Sequence, residues 1–149
     1  MTLKEELYTY CEQFLEERFS AVVNRIEGIQ ESLQSETKSS AGDKHETGRA
    51  MLQLEREKAG NQLLDINKQK ELFAKVSTDA SSQVACLGSL VTTDKGHYYL
   101  AISAGLITIQ NNKYYAISTN SPIGSILLGK VKGAVFSFNG INQEIIAIA

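Results

Sequence analysis

Cysteine and histidine are scarce in this 149-residue chain, with two of each, and the scarcity excludes several kinds of protein. Cys11 and Cys86 cannot build a disulfide framework or a four-ligand zinc site, and two histidines leave little material for nitrogen and sulfur metal chemistry. A reducing cytoplasm is the expected location. Basic charge is also lacking: 15 Lys+Arg stand against 17 Asp+Glu, for a net charge of -2. No overall positive surface is available to hold a polyanion, so free duplex DNA is a poor ligand, and any nucleic-acid contact must be local or made through a partner. No apolar run approaches roughly 18 residues, and Met1 to Tyr10 carries acids where a signal peptide needs basic and apolar regions. The chain is therefore expected to be neither secreted nor membrane-spanning. A hydrophobic fraction of 42% and a charged fraction of 21% are ordinary for one globular domain or two small ones.

Composition changes part way along. Residues 1–78 hold 11 Lys+Arg and 14 Asp+Glu, leaving 4 and 3 for the rest. Seven of the 11 glycines lie in the second part, where Val, Ile, Tyr and Phe also concentrate. A helical part followed by a β-rich part accounts for both shifts, with the polar stretch 77–82 as linker between residues 1–76 and residues 83–149.

In the first part Tyr8, Cys11, Leu15, Phe19, Val22, Ile26, Ile29 and Leu33 follow spacings of three and four, predicting one long amphipathic helix. A second seam runs through Leu52, Ala59, Leu63, Ile66 and Phe73, with Arg56 and Lys70 on the same stripe. The segment Gln34 to Gly48 between them is almost without apolar residues. Facing stripes and a polar connection predict an antiparallel coiled-coil hairpin with its tip at about residues 36–48. At a rise of about 1.5 Å per residue, some 30 residues give a rod on the order of 45 Å long. The seams can be satisfied within one hairpin, so a monomer is expected.

The second part reads as strands over 88–93, 97–103, 106–110, 113–118, 134–138 and 141–148. Asp94-Lys95-Gly96, Asn111-Asn112 and Asn139-Gly140 supply the turns between them. Within 121–130, Ser121 suits a helix N-cap, Pro122 the first position and Gly129 the stop, while Ile126, Leu127 and Leu128 supply an apolar face. The fold class expected is α+β: a coiled-coil hairpin, then a small antiparallel sheet with one short helix.

Two places in this sequence resemble the Gre family of bacterial transcript cleavage factors. The run Ala116-Ile117-Ser118-Thr119-Asn120-Ser121-Pro122-Ile123-Gly124-Ser125-Ile126-Leu127-Leu128-Gly129-Lys130, followed by Gly133, is similar to that family's I-S-x-x-S-P-[IL]-G-x-x-L-[IL]-G-K-x-x-G signature. At the expected hairpin tip, Gly42-Asp43-Lys44-His45-Glu46 is similar to its G-D-x-x-E loop. Together the two span nearly the whole chain. The better-known members continue after the acidic pair with Asn-Ala-Glu-Tyr, where this chain has Thr47-Gly48-Arg49-Ala50, which marks a divergent subgroup.

The resemblance implies an FKBP-like C-terminal domain and a hairpin that enters the secondary channel of bacterial RNA polymerase. There two tip carboxylates, here Asp43 and Glu46, help hold a second Mg²⁺ beside the polymerase's own, and backtracked RNA is cleaved near its 3′ end. The residue types suit this, because Mg²⁺ takes oxygen ligands and needs only one or two carboxylates when another molecule completes the shell. The isolated protein needs no cofactor, and it is an accessory factor to the polymerase's nuclease activity. Arg49, Arg56 and Lys58 are candidate contacts to RNA phosphate, and Ser121, Pro122, Gly124 and Lys130 are candidate polymerase-docking residues.

Each assignment has a plainer counterpart. Asp43 followed by Glu46 forms a capping-box pattern at the start of the second helix. The three basic residues are interspersed with Glu55 and Glu57, as on a solvated face. His45 reads as a proton carrier or a solvent-facing side chain, Cys11 and Cys86 as buried small hydrophobes, and Ser121 to Gly129 as helix entry and exit. At the level of function, the alternatives are a channel-binding regulator or inhibitor without cleavage activity and a structural coiled-coil adaptor. A prolyl isomerase is a further reading, against which stand the short domain and the absence of tryptophan.

Overall fold

The charged first half of the chain forms two long helices, α1 over Leu3–Lys38 and α2 over Gly42–Phe73. The computed structural model describes the backbone of residues 1–38 and 42–149 and the side chains of residues 1–35 and 46–149. α1 opens on a reciprocal capping box. Thr2 Oγ1 accepts from the Glu5 amide at 3.2 Å, and Glu5 Oε2 accepts from the Thr2 amide at 2.9 Å, satisfying two donors that a helix start leaves over. The segment 34–48, expected as a polar connection, is largely helical instead, because α1 continues to Lys38 and α2 begins at Gly42. Absence of apolar residues ends a stripe, not a helix; Gln, Glu and Lys propagate helix well.

By packing, the chain divides into two units, Leu15–Lys70 and Met1–Phe14 with Glu71–Ala149. The division cuts both helices and does not fall at 77–82. In Leu15–Lys70 the helices run antiparallel. Ile26 and Ile29 of α1 pack with Ala59 of α2, flanked by Val22, Leu33, Leu52 and Leu63, while Glu16 near the start of this stretch meets Lys70 at its end, 2.9 Å apart. The Lys70 ammonium also sits 3.7 Å from the centroid of the Phe19 ring. The cation that interrupts the apolar stripe is thus used twice, on a carboxylate and on an aromatic face. Arg56, the other interruption, lays its guanidinium beside Gly60, whose absent side chain leaves the space.

The second unit holds β1 (Leu90–Thr93), β2 (His97–Ala101), β3 (Gly105–Ile109), β4 (Asn112–Ser118), α3 (Pro122–Leu127), β5 (Val135–Phe138) and β6 (Ile141–Ile148). The strand order is β3-β4-β2-β1-β6-β5. Neighbours pair antiparallel except β2 with β4, which run parallel from Tyr98↔Tyr115 to Ala101↔Ser118. The sheet is therefore mixed, not wholly antiparallel. The chain leaves β2 through 102–104, lays β3 one place further out, and returns to fill the gap with β4. Alternation along a strand reveals its faces but not its neighbours, so the sequence carried no sign of this. The β3–β4 turn sits on Gln110 and Asn111 (φ 50° and 66°), one residue before the expected pair, and Asn139-Gly140 makes the β5–β6 turn as expected (φ 51° and 77°). Both are two-residue hairpins that need positive φ at each central position.

Strand β2 is buried on both faces: Tyr99, Leu100 and Ala101 are all 0% exposed. On one face Leu100 joins Val91, Phe136 and Ile145 under Ile123 and Leu127 of α3. Tyr99, on the other face, has Cys11 and Tyr8 of α1 as neighbours, and the rings of Tyr8 and Phe73 stack at 4.4 Å; Leu7, Cys11 and Phe73 are all buried. Polar groups inside the sheet are mostly satisfied. The buried Gln143 Oε1 accepts from Thr93 Oγ1 (2.8 Å) and from the Tyr98 hydroxyl (3.1 Å).

The Tyr99 hydroxyl is the exception, buried without a partner. Burial, reinforced by Cys11 and Tyr8, raises its pKa well above the ordinary value, and burial pushes the Cys11 thiol up to about 12. Cys11 is the buried hydrophobe expected; Cys86 is exposed, contrary to expectation. Two outcomes are expected in urea unfolding. Tyr99→Phe, which removes an unpaired buried hydroxyl, should leave stability unchanged or raise it by up to about 1 kcal/mol. Both groups keep their proton in the folded state at pH values where the unfolded chain has lost it. Stability should therefore be full below the ordinary thiol value of 9.0 and fall as pH rises from there toward 12. Cys11→Ala and Tyr99→Phe should each flatten that decline, and an unchanged slope in both would show that these groups do not cause it.

Candidate functional site

α2 carries the acidic pair near its start. Asp43 and Glu46 lie three residues apart in the first turns of the helix, Glu46 is exposed, and the side chains of Asp43 and His45 lie outside the described residues. Because α2 begins at Gly42, Asp43 stands inside the helix, not ahead of it as the capping-box pattern required. Carboxylates in the first turn complement the positive end of the helix dipole. Positions three apart are neighbours on a helix surface, so one element supplies two oxygen donors. Among the described residues no group of three or more His, Cys, Asp or Glu side chains could hold a metal ion. Two carboxylates suit Mg²⁺ only where another molecule supplies the remaining oxygens.

The basic residues do not form one patch. Arg49 and Arg56 are seven residues apart, on one side of α2, and both are half-buried beside the seam that carries Leu52 and Ala59. Lys58 is exposed and lies about 200° round the helix from Arg56, at about 100° per residue.

The loop from Ser118 to Lys130 is built around one close approach. Ser121, with φ -69° and ψ 160°, caps α3: its hydroxyl accepts from the Gly124 amide at 3.1 Å and donates to the Ser118 carbonyl at 2.6 Å. Gly124 then passes so near that carbonyl that an added Cβ would lie 2.0 Å from its oxygen. Gly129 (φ +83°) ends the helix, its amide donating to the Ala85 carbonyl while the Lys130 carbonyl accepts from the Ala85 amide, both at 2.8 Å. Ser121, Gly124 and the Lys130 backbone are thus engaged inside the domain. Pro122 and Ser125 are exposed.

Leu128, expected on the apolar face of α3, is 41% exposed. Leu106 and Tyr115, cross-strand partners on β3 and β4, are 45% and 43% exposed, and Tyr115 stacks on Tyr98 at 6.1 Å. Adjacent tyrosines pointed to this: Tyr114 and Tyr99 face inward, leaving Tyr115 outward and Tyr98 half-buried. His97, for which the sequence offered no partner, has Nδ1 3.0 Å from Thr92 Oγ1 and its ring 5.1 Å from that of Tyr114.

No family model matches the chain, and no curated protein matches it either. Among solved structures, one titled "Structure of the transcription factor Gfh1" aligns over 88% of this chain and 92% of its own, at 18% sequence identity and a TM-score of 0.35. A likeness at that level carries no argument about function.

The loop geometry makes the SPIG run testable as a structural device. Gly124→Ala should destabilise the protein by more than about 2 kcal/mol, since backbone must move to admit the methyl group, and Ser121→Ala by about 1 kcal/mol, the usual cost of a lost N-cap. Gly96→Ala, at a position with nothing within 4 Å of the added Cβ, is the control. Equal urea midpoints for the Gly124 and Gly96 variants would contradict the close approach.

Proposed function

We propose that this protein is a transcription factor that binds bacterial RNA polymerase and inserts its helical hairpin into the secondary channel. There it stimulates cleavage of backtracked RNA near the 3′ end. The observation that carries the reading is the position of the acidic pair: Asp43 and Glu46 fall at the start of α2, at the turning end of an antiparallel helix pair, with Glu46 open to solvent. The second support is the resemblance of residues 116–133 to the Gre signature, whose fixed serine, proline and glycines all find a structural use in this loop.

In this reading Asp43 and Glu46 provide two oxygen ligands for a Mg²⁺ shared with the polymerase's acids and an RNA phosphate. The ion, when bound, supplies a water of lowered pKa and offsets the charge that develops on the phosphate. The chain's own part is to deliver two carboxylates on a rigid helix and to exclude alternatives by geometry. Arg49 and Arg56, held on one side of α2, can meet RNA phosphate oxygens; Lys58, on another side, serves a different contact or none. Exposed Pro122 and Ser125, with Leu128, offer the docking surface that Ser121, Gly124 and Lys130 shape from within. The protein acts as a monomer, its seams satisfied within one hairpin, and is not a nuclease alone.

A second reading, a channel-binding regulator without cleavage activity, is favoured by Thr47-Gly48-Arg49-Ala50 following the acidic pair. A stalled, backtracked elongation complex from the same organism, supplied with Mg²⁺, separates the two. The wild-type protein should shorten the RNA, and Asp43→Asn/Glu46→Gln should bind equally but lose at least about 100-fold in cleavage rate, the scale seen when a charge-stabilising group is removed. Equal cleavage by both proteins would overturn the assigned carboxylates. Binding without cleavage by either would establish the regulatory reading.

A further inference from the structure

A cavity of about 150 Å³ in the sheet-bearing unit is lined by Lys4, Lys75, the serines 77, 81, 82 and 89, and Cys86, with no carboxylate among its lining residues. The chemistry of this wall is one-sided. Ser77 Oγ accepts from the amides of Asp79 (3.3 Å) and Ala80 (3.2 Å), Ser82 Oγ from that of Val84 (3.1 Å), and Ser89 Oγ from that of Cys86 (3.0 Å). The Ser77 and Ser82 hydroxyls have spent acceptor capacity on the backbone and have a proton to give, while the Ser89 hydroxyl also lies 3.5 Å from Cys86 Sγ, a contact in which either atom can donate. Ser89 is only 2% exposed, so its hydroxyl is a built part of the cavity and not a surface decoration.

No carboxylate lines the cavity beside Lys4 among the described residues. The Lys4 ammonium donates to the neutral Ala80 carbonyl at 3.0 Å, and burial lowers its pKa, opposed in part by the neighbouring Cys86. The acid next in sequence is engaged elsewhere, since the Glu5 carboxylate closes the helix cap on the Thr2 amide. Two lysines, donor hydroxyls and no acid make a site complementary to an oxyanion with several acceptor oxygens. The volume sets the size: pockets for drug-sized molecules run to about 300–1,000 Å³, so this one takes an anionic head and not a whole nucleotide.

We propose that this cavity, between Lys4 and Lys75 and the serines of 77–89, is a binding site for a phosphate group, either free or as the terminus of a larger phosphate monoester. The site is independent of the acidic pair on α2 and of the function proposed for it.

Cys86 provides the test, because it lines the cavity and is exposed while Cys11 is buried. Alkylation of Cys86 in the full chain by neutral iodoacetamide is followed against inorganic phosphate and, separately, adenosine 5′-monophosphate, with sodium chloride at matched ionic strength as control. Amide shifts of Gly88 and Ser89 are recorded in the same titrations. Phosphate should slow alkylation at least about threefold and move both amides along one saturable curve, with half-effect near or below about 1 mM, a modest affinity. Lys4→Met and Lys75→Met, each checked for an unchanged melting profile, should each weaken the half-effect at least about fivefold. Tighter response to the nucleotide would assign the site to a monoester terminus, and equal response to both would assign it to free phosphate. No saturable shift, an effect reproduced by sodium chloride, or full protection in both folded lysine variants would overturn the proposal.

Discussion

The sheet-bearing unit depends on burying one strand from two sides. With Tyr99, Leu100 and Ala101 wholly inaccessible, β2 needs apolar cover above and below, and neither cover exists without the rest of the chain. α3 supplies Ile123 and Leu127 on one face, and Cys11 and Tyr8 of the first helix lie by Tyr99 on the other, with Phe73 of the second helix stacked on Tyr8. Fully burying one side chain of this size is worth about 1.5–3 kcal/mol, so several together outweigh the single unpaired hydroxyl of Tyr99. The same requirement explains why the first 14 residues belong with the sheet and not with the rest of the helix that contains them.

The serine, proline and glycine of residues 121–124 act together as a structural device. Gly124 is fixed by the Ser118 carbonyl and Ser121 by the cap it makes, leaving the exposed Pro122, Ser125 and Leu128 free for a partner. Near the start of α2 the situation is different. Glu46 is exposed, and burial places no demand on its carboxylate.

Much of this was legible in the residues. Spacings of three and four located both helices, Asn139-Gly140 located its hairpin, and Ser121-Pro122 with Gly129 located α3 nearly to the residue, because each rests on short-range sterics or capping. The places where the reading failed involve distant partners. The parallel pairing of β2 with β4 is invisible to alternation, the continuation of α1 to Lys38 and the start of α2 at Gly42 are invisible to a stripe that simply ends, and the exposure of Cys86 and Leu128 depends on what packs nearby. Of the candidate site, the acidic pair was legible as a pattern. The separation of Lys58 from Arg49 and Arg56 follows from helix periodicity, and the cavity near Lys4 needed Lys4 and Lys75, 71 positions apart, to be brought together.

Leu90 and Ala149 exchange both main-chain hydrogen bonds, at 3.0 and 2.9 Å, and β6 stands between β1 and β5. During synthesis the two helices can pair over residues 15–70 as soon as those residues clear the ribosome. The sheet cannot: one edge of β1 has no partner until residues 141–149 have emerged. The sheet-bearing unit thus joins residues 1–14 to residues 71–149, and the helix pair of residues 15–70 is an insertion between two parts of one packed unit.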